Sequence, residues 1–228
     1  MNTRDERRSC LVLAEAAADP APPLAENELW LLSYYRSSEI NGALFFGRVA
    51  RTVRGPLQLD VTHHFCDEAN HANYWTQCIS NLGRTAIKQN RSYQDQYLEA
   101  VGVPANLMEV MAITQVFEKR VIGQYHKHLR FPRTHPEVRQ TIQRIMLDER
   151  WHVKYVKEAL AGMADRYGPE LIDETLARYA AADEEVYAKT LAEYGERIAF
   201  LAQTAQTAQT AETAQTAETA QTAAGHVT

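Results

Sequence analysis

The sequence is poor in the residues that mark extracellular scaffolds, membrane spans and nucleic-acid surfaces. Only three cysteines occur among 228 residues, Cys10, Cys66 and Cys78, and no two form a C-x-x-C pair. An odd set of isolated thiols excludes a disulfide framework and a zinc ribbon, and it fits a reducing compartment. No apolar run approaches the roughly 18 residues needed to cross a bilayer, so no membrane partner is expected. The segment from Met1 to Arg8 is charged, and the apolar stretch from Cys10 to Ala18 is interrupted by Glu15. It does not read as a secretion signal, and the expected location is the cytoplasm. Positive charge is also scarce: 24 lysines and arginines face 29 aspartates and glutamates, a net charge of -5. No basic face stands out, so nucleic acid is not expected as a partner. Glycine and proline are few, ten and eight, which leaves long uninterrupted segments.

Those segments carry helical periodicity. Between Glu26 and Arg54 the residues Leu32, Tyr35, Glu39, Ala43, Phe46 and Ala50 recur at spacings of three or four, the mark of one buried helical face. Gly55 and Pro56 end it. A second helix is predicted from Gln58 to Leu82, with Leu57, His64, Glu68, His71 and Trp75 on its inward stripe. Residues 84–103 form a long connection with some helical character. A third helix is predicted from Pro104, a favourable first-turn residue, to Leu129, with Leu107, Met111, Thr114, Glu118, Val121, Ile122 and Tyr125 on one face. A fourth is predicted from Pro136 to Ala161, with Ile142, Ile145, Glu149, His152 and Val156 inward. A fifth, from Pro169 to Leu201, carries many i,i+4 charges and is expected as a solvated helix outside the bundle, where it either covers the core or forms a homodimer face. From Ala202 to Thr222 an Ala-Gln-Thr or Ala-Glu-Thr triplet repeats seven times. A period of three builds no apolar face, so 202–228 is expected to be a low-complexity, disordered tail. The expected organisation is an N-terminal segment over 1–25, a helical domain over 26–201 and that tail.

The chemistry concentrates in two copies of one motif. The second helix contains Asp67-Glu68-Ala69-Asn70-His71, and the fourth contains Asp148-Glu149-Arg150-Trp151-His152. Both read D-E-x-x-H, and residues three apart on a helix share a face. Each motif follows a lone glutamate on an otherwise apolar or small-residue stripe. Glu39 lies 29 residues before Glu68, and Glu118 lies 31 before Glu149. The chain is a pseudo-repeat: helix with Glu, helix with E-x-x-H, crossover, and the same again. Four buried carboxylates would repel strongly without compensating charge. Two divalent ions offset them, and two imidazoles complete a mixed oxygen and nitrogen ligand set suited to iron or manganese.

In these motifs, over residues 26–161, the sequence resembles the ferritin-like superfamily of di-iron carboxylate proteins. The resemblance implies an all-α four-helix bundle with a central crossover and an additional C-terminal helix. It implies Glu39, Glu68, His71, Glu118, Glu149 and His152 as ligands of two iron ions, with manganese or a mixed Mn/Fe pair as alternatives. Glu68 and Glu149 would bridge the metals. An aspartate directly before the glutamate resembles the oxygen-activating members, such as bacterial multicomponent monooxygenases. There it accepts a hydrogen bond from the ligand histidine of the opposite helix, and Asp67 and Asp148 are the matching positions. The function so implied is that of an oxidoreductase taking O2 and a small organic substrate, with electrons from an external ferredoxin or flavin reductase. The chain has no rubredoxin-type C-x-x-C module, and it keeps the second E-x-x-H that storage ferritins usually lack.

Other readings remain open at this level. Ferroxidase, iron-storage or peroxide-detoxifying activity uses related ligands, and a metal-free helical interaction module would need none. His64, four residues before Glu68, is either a hydrogen-bond partner of the site or an additional ligand. Tyr125 is either a core residue or a hydrogen-bond or radical-relay group near the metals. Small residues at Gly42 and Ala43 either permit close helix packing or leave room for O2 or substrate. His63, His126, His128 and His135 are expected as ordinary surface or satisfied histidines. Cys66 is expected to face a neighbouring helix.

Overall fold

The computed structural model describes residues 24–201, which contain seven α-helices and no strand. The expectations for most of segment 1–25 and for the triplet repeat lie outside these residues. The helices are α1 (Glu26–Ala50), α2 (Gln58–Asn81), α3 (Tyr93–Val101), α4 (Leu107–Arg130), α5 (Pro136–Gly162), α6 (Ala164–Tyr167) and α7 (Pro169–Ile198), followed by a 3-10 turn at Ala199–Leu201. No helix is long and apolar enough to cross a membrane among the described residues.

The helix ends follow local chemistry. Ser92 and Asp95 form a capping box that starts α3 inside the long crossover. Gly102, at φ 79°, ends it in a conformation that a residue with a Cβ resists. The predicted start of the third helix at Pro104 is corrected. The side chain of Asn106 accepts from the Glu109 N–H, so α4 begins at Leu107 and Pro104 stays outside. The first helix likewise stops at Ala50 rather than Arg54, in a turn that buries Val53. Pro136 does open α5, with the His135 ring accepting from Glu137 N–H.

α1 packs along α2, α4 along α5, and α2 against α5. Two apolar clusters, one toward each end of the bundle, fix the directions. Leu32 of α1, Trp75 and Ile79 of α2, Tyr125 of α4 and Ile142 and Ile145 of α5 share the first. Phe46, Val61, Met111 and Val156, from the other halves of the same helices, share the second. α1 and α5 therefore run one way and α2 and α4 the other, and the crossover over residues 82–106 is what lets two consecutive bundle helices run parallel.

α7 packs on the outside of the bundle, as expected, against α4, α3 and α1, and buries Ile172, Tyr179, Asp183, Val186 and Thr190. Its exposed face carries i,i+4 charge pairs such as Glu185–Lys189, which masked the inner face in the sequence. Arg120 of α4 pins this helix through Asp183 and Glu184, and the Tyr93 hydroxyl donates to Asp183 as well.

Candidate metal centre

Between the two apolar clusters lies one polar layer. α1 places Glu39 there, α2 places His64, Glu68 and His71, α4 places Glu118, and α5 places Glu149 and His152. All seven are buried. They form two groups whose ligand atoms lie within 4.8 Å of one another: Glu39, Glu68, His71 and Glu149, and His64, Glu68, Glu118 and His152. Either group could hold a metal ion. Glu68 belongs to both, and Glu149 reaches both histidines, with Oε1 3.3 Å from His71 Nδ1 and Oε2 3.4 Å from His152 Nδ1.

The orientation of the imidazoles comes from aspartates across the bundle. His71 Nε2 lies 3.2 Å from Asp148 Oδ2, and His152 Nε2 lies 3.2 Å from Asp67 Oδ2. Each D-E-x-x-H thus orients the histidine of the other, and each Nδ1 faces the carboxylates. The Nδ1 atoms of His71 and His152, and Oε2 of Glu149, are buried without a hydrogen-bond partner. Orphaned buried donors and acceptors are costly. Two such imidazole nitrogens and one such oxygen, gathered with the carboxylates of Glu39, Glu68 and Glu118, fit the coordination of a divalent pair.

His64 belongs to the same set. Its Nε2 is 3.2 Å from both Glu68 Oε1 and Glu118 Oε1, and its Nδ1 is 2.7 Å from the Tyr155 hydroxyl. Its ring stacks between Phe46 and His152, each at 3.7 Å. A third imidazole nitrogen therefore faces the second group. The sequence signal is the H-x-x-x-E-x-x-H spacing, which puts three side chains on one stripe of α2. Tyr125 is also at the layer: its hydroxyl donates to Glu39 Oε1 and accepts from Trp75 Nε1–H at 3.1 Å.

The protonation states describe a site short of positive charge. Burial and the neighbouring Glu39, Glu118 and Glu149 hold the Glu68 carboxyl well above its ordinary range. Burial opposes charging His152, but the nearby carboxylates of Asp67, Glu118 and Glu149 prevail and push it up to about 12. His71 is raised in the same way, burial being outweighed by Asp148, Glu149 and Glu39. His64 goes the other way: burial and the charge of His152 hold it well below 6.5, which leaves a neutral ring able to ligate. Protons on Glu68 and two imidazoles occupy the electrostatic role that metal cations would take.

One expectation needs correction. Cys66 is exposed and faces no neighbouring helix. Of the two readings of His128, surface or satisfied, the second holds: it is fully buried at one end of the bundle, its Nε2 3.4 Å from Glu28 Oε1. His63 and His126 are exposed, and His135 is the cap of α5.

A cavity of about 300 Å³ opens onto this layer between α1, α4 and α7. Glu39, Gly42, Glu68, Glu118 and Glu149 form its inner wall. Gly42 lets the Glu68 carboxylate lie against α1: a Cβ there would be 1.9 Å from Glu68 Oε2. Comparison of the chain with protein-family models, with curated proteins and with solved structures finds no match.

Proposed function

We propose that this chain is a ferritin-like di-metal carboxylate oxidoreductase, holding two iron ions and using O2 to oxidise or oxygenate a small organic substrate. The observation that carries the reading is the cavity. A structural metal pair has no need of space beside its ligands, whereas here a mostly apolar cavity reaches the carboxylate layer on one side.

Glu39, Glu68, His71 and Glu149 would hold one ion, and His64, Glu68, Glu118, Glu149 and His152 the other. The pair would supply electrons to dioxygen and an electrophilic oxidant to the substrate. In an oxygenation, two electrons from the substrate and two from an external donor reduce O2, one oxygen entering the product and one leaving as water. Asp67 and Asp148 hold His152 and His71 with Nδ1 inward. Tyr155 does the same for His64 through Nδ1, leaving Nε2 inward. Tyr125 steadies Glu39 by its hydrogen bond. Cations would compete with protons for the same atoms, so the protons held by Glu68 and the histidines would leave when metal enters.

The test is anaerobic reconstitution with ferrous iron, metal content by plasma mass spectrometry, then oxygen uptake. About two irons per chain, falling in Glu118→Ala and His152→Ala, followed by stoichiometric oxygen uptake, is the expected result. Many irons per chain would replace this reading with storage, and no bound metal would end it.

A further inference from the structure

The cavity has a shape as well as an address. On α1 its wall runs from Trp30 to Arg48, and Gly42 lies within that stretch. Eighteen helical steps at about 1.5 Å make a trough roughly 27 Å long on that side. On the α7 side it runs from Tyr187 to Leu201, roughly 20 Å. The lining is mostly aromatic and aliphatic and includes Trp30, Phe45, Phe46, Phe117, Val121 and Ile198. A compact substrate would leave most of this length unfilled.

Charge on the wall gives a direction. Outside the carboxylate layer the charged lining residues are Arg48, Asp95 and Arg120. Arg120 is held by Asp183 and Glu184 and lies over the Tyr187 ring. Asp95 accepts from Ser92 N–H and from Asn41. Arg48 is exposed and makes no ion pair among the described residues. It is the one lining cation free to meet an anion there, and it stands six residues from Gly42, roughly 9 Å along the helix.

We infer that the trough binds a linear aliphatic molecule with an anionic head, the head at Arg48 and an internal carbon of the chain beside Gly42. At about 1.25 Å of advance per carbon in a staggered zigzag, a chain of roughly twelve to sixteen carbons spans about 14–19 Å, close to the length of the α7 side. This inference names the substrate class of the proposed oxidoreductase and rests on that reading for its chemistry, but binding itself is measurable without metal.

The experiment is displacement of a fluorescent fatty-acid probe from the full chain, metal-free and iron-loaded, by hexanoate, dodecanoate, hexadecanoate, dodecanol and benzoate below their micellar concentrations. Affinity should rise about fourfold per added methylene up to the length of the trough. Val121→Trp, which fills the wall, should weaken hexadecanoate at least tenfold while metal content stays unchanged, with melting temperature measured beside it because the residue also packs on the core. Arg48→Gln lies on the surface and leaves folding intact; it should weaken dodecanoate about tenfold and dodecanol hardly at all. Length-dependent binding by protein that takes up no metal would sink the oxidoreductase reading and keep this one. Benzoate binding as tightly as dodecanoate, no dependence on chain length, or both variants binding like the parent would overturn it, whatever the metal content.

Discussion

Replacing Gly42 by alanine tests the geometry of the site with a single methyl group. An ideal Cβ at residue 42 would lie 1.9 Å from Glu68 Oε2 and 2.9 Å from Cδ. Real Cβ contacts essentially never fall below 3.0 Å, so the carboxylate oxygen must retreat by at least 1.1 Å. Metal–oxygen bonds tolerate only about 0.2 Å of misplacement, so Glu68 would leave its place in both ligand groups. The backbone effect has the opposite sign, because alanine is favoured over glycine in a helix interior by about 0.5–1 kcal/mol. Turning the Glu68 side chain away costs about 0.5–1.5 kcal/mol. The two terms nearly cancel in metal-free protein, which should therefore melt within a few degrees of the parent. Metal content should fall from about two ions per chain to one or fewer, and the rise in melting temperature on adding ferrous or manganous ion should shrink accordingly. Differential scanning calorimetry with and without chelator, beside elemental analysis, reads both. Parent-like metal content and parent-like metal stabilisation in Gly42→Ala would refute the assignment of Glu68 as the shared ligand.

Three further predictions follow from the layered core. Asp148→Asn or Asp67→Asn keeps the shape but weakens the acceptor that orients His71 or His152; each should lower metal affinity about 10- to 100-fold in chelator competition, and unchanged affinity in both would remove the orienting role. For metal-free protein, His152 is raised from 6.5 to about 12, so its charge stabilises the fold fully below pH 6.5 and less as pH climbs toward 12. Glu68 is raised too, and it resists the ionisation that the unfolded chain undergoes from about pH 4.5 upward; both effects make metal-free stability fall with pH, whereas metal stabilisation grows as the ligands lose protons. Melting scans at about pH 6 and about pH 9 read this, and metal-free protein that is more stable at the higher pH would contradict it. Ile142→Ala, at a fully buried position of the first apolar cluster, should cost about 2–5 kcal/mol in denaturant unfolding, with the same loss in metal-loaded and metal-free protein.

The bundle and much of its site were legible because both obey one period. A glutamate on an apolar stripe and an E-x-x-H one helix later place their side chains by helical geometry alone, and the structure does bring Glu39, Glu68, His71, Glu118, Glu149 and His152 into one layer. His64 was ambiguous because spacing put it on the stripe but could not say whether its Nε2 meets the carboxylates or its ring only packs. That was decided by Tyr155, ninety-one residues away, which takes the other nitrogen. His128 was left open between surface and satisfied, and the inner face of α7 unassigned, for a similar reason. His128 has its partner, Glu28, a hundred residues upstream, and the buried Asp183 of α7 reads as one more surface charge until Arg120 and Tyr93 are seen beside it. Cap chemistry also outweighed a rule: Pro104 suits a first turn, but Asn106 offers an oxygen to an N–H that would otherwise be orphaned. The cavity left almost no trace in sequence, because a void is a property of three helices at once.

The arrangement of layers explains how one chain can keep four carboxylates in its interior. Each of the four glutamates comes from a different helix, and each helix carries apolar residues on both sides of its glutamate, toward Trp75 and Ile142 at one end and toward Val61 and Met111 at the other. The two clusters fix helix direction and register with no help from the polar layer, and the layer is then held at a set width whether it contains protons or metal ions. Burial and repulsion between carboxylates raise Glu68, and attraction to the same carboxylates raises both aspartate-bound histidines, but the repulsion cannot splay helices that are clamped above and below. A site built in this way is pre-formed, so cations meet a fixed cage rather than ordering one, and the binding energy not needed for folding is retained as affinity and as control of geometry. The same clamping makes Gly42 meaningful. Because α1 is packed along α2, the Glu68 carboxylate can lie against the α1 backbone only where a side chain is missing, and the absent Cβ of Gly42 is what admits it.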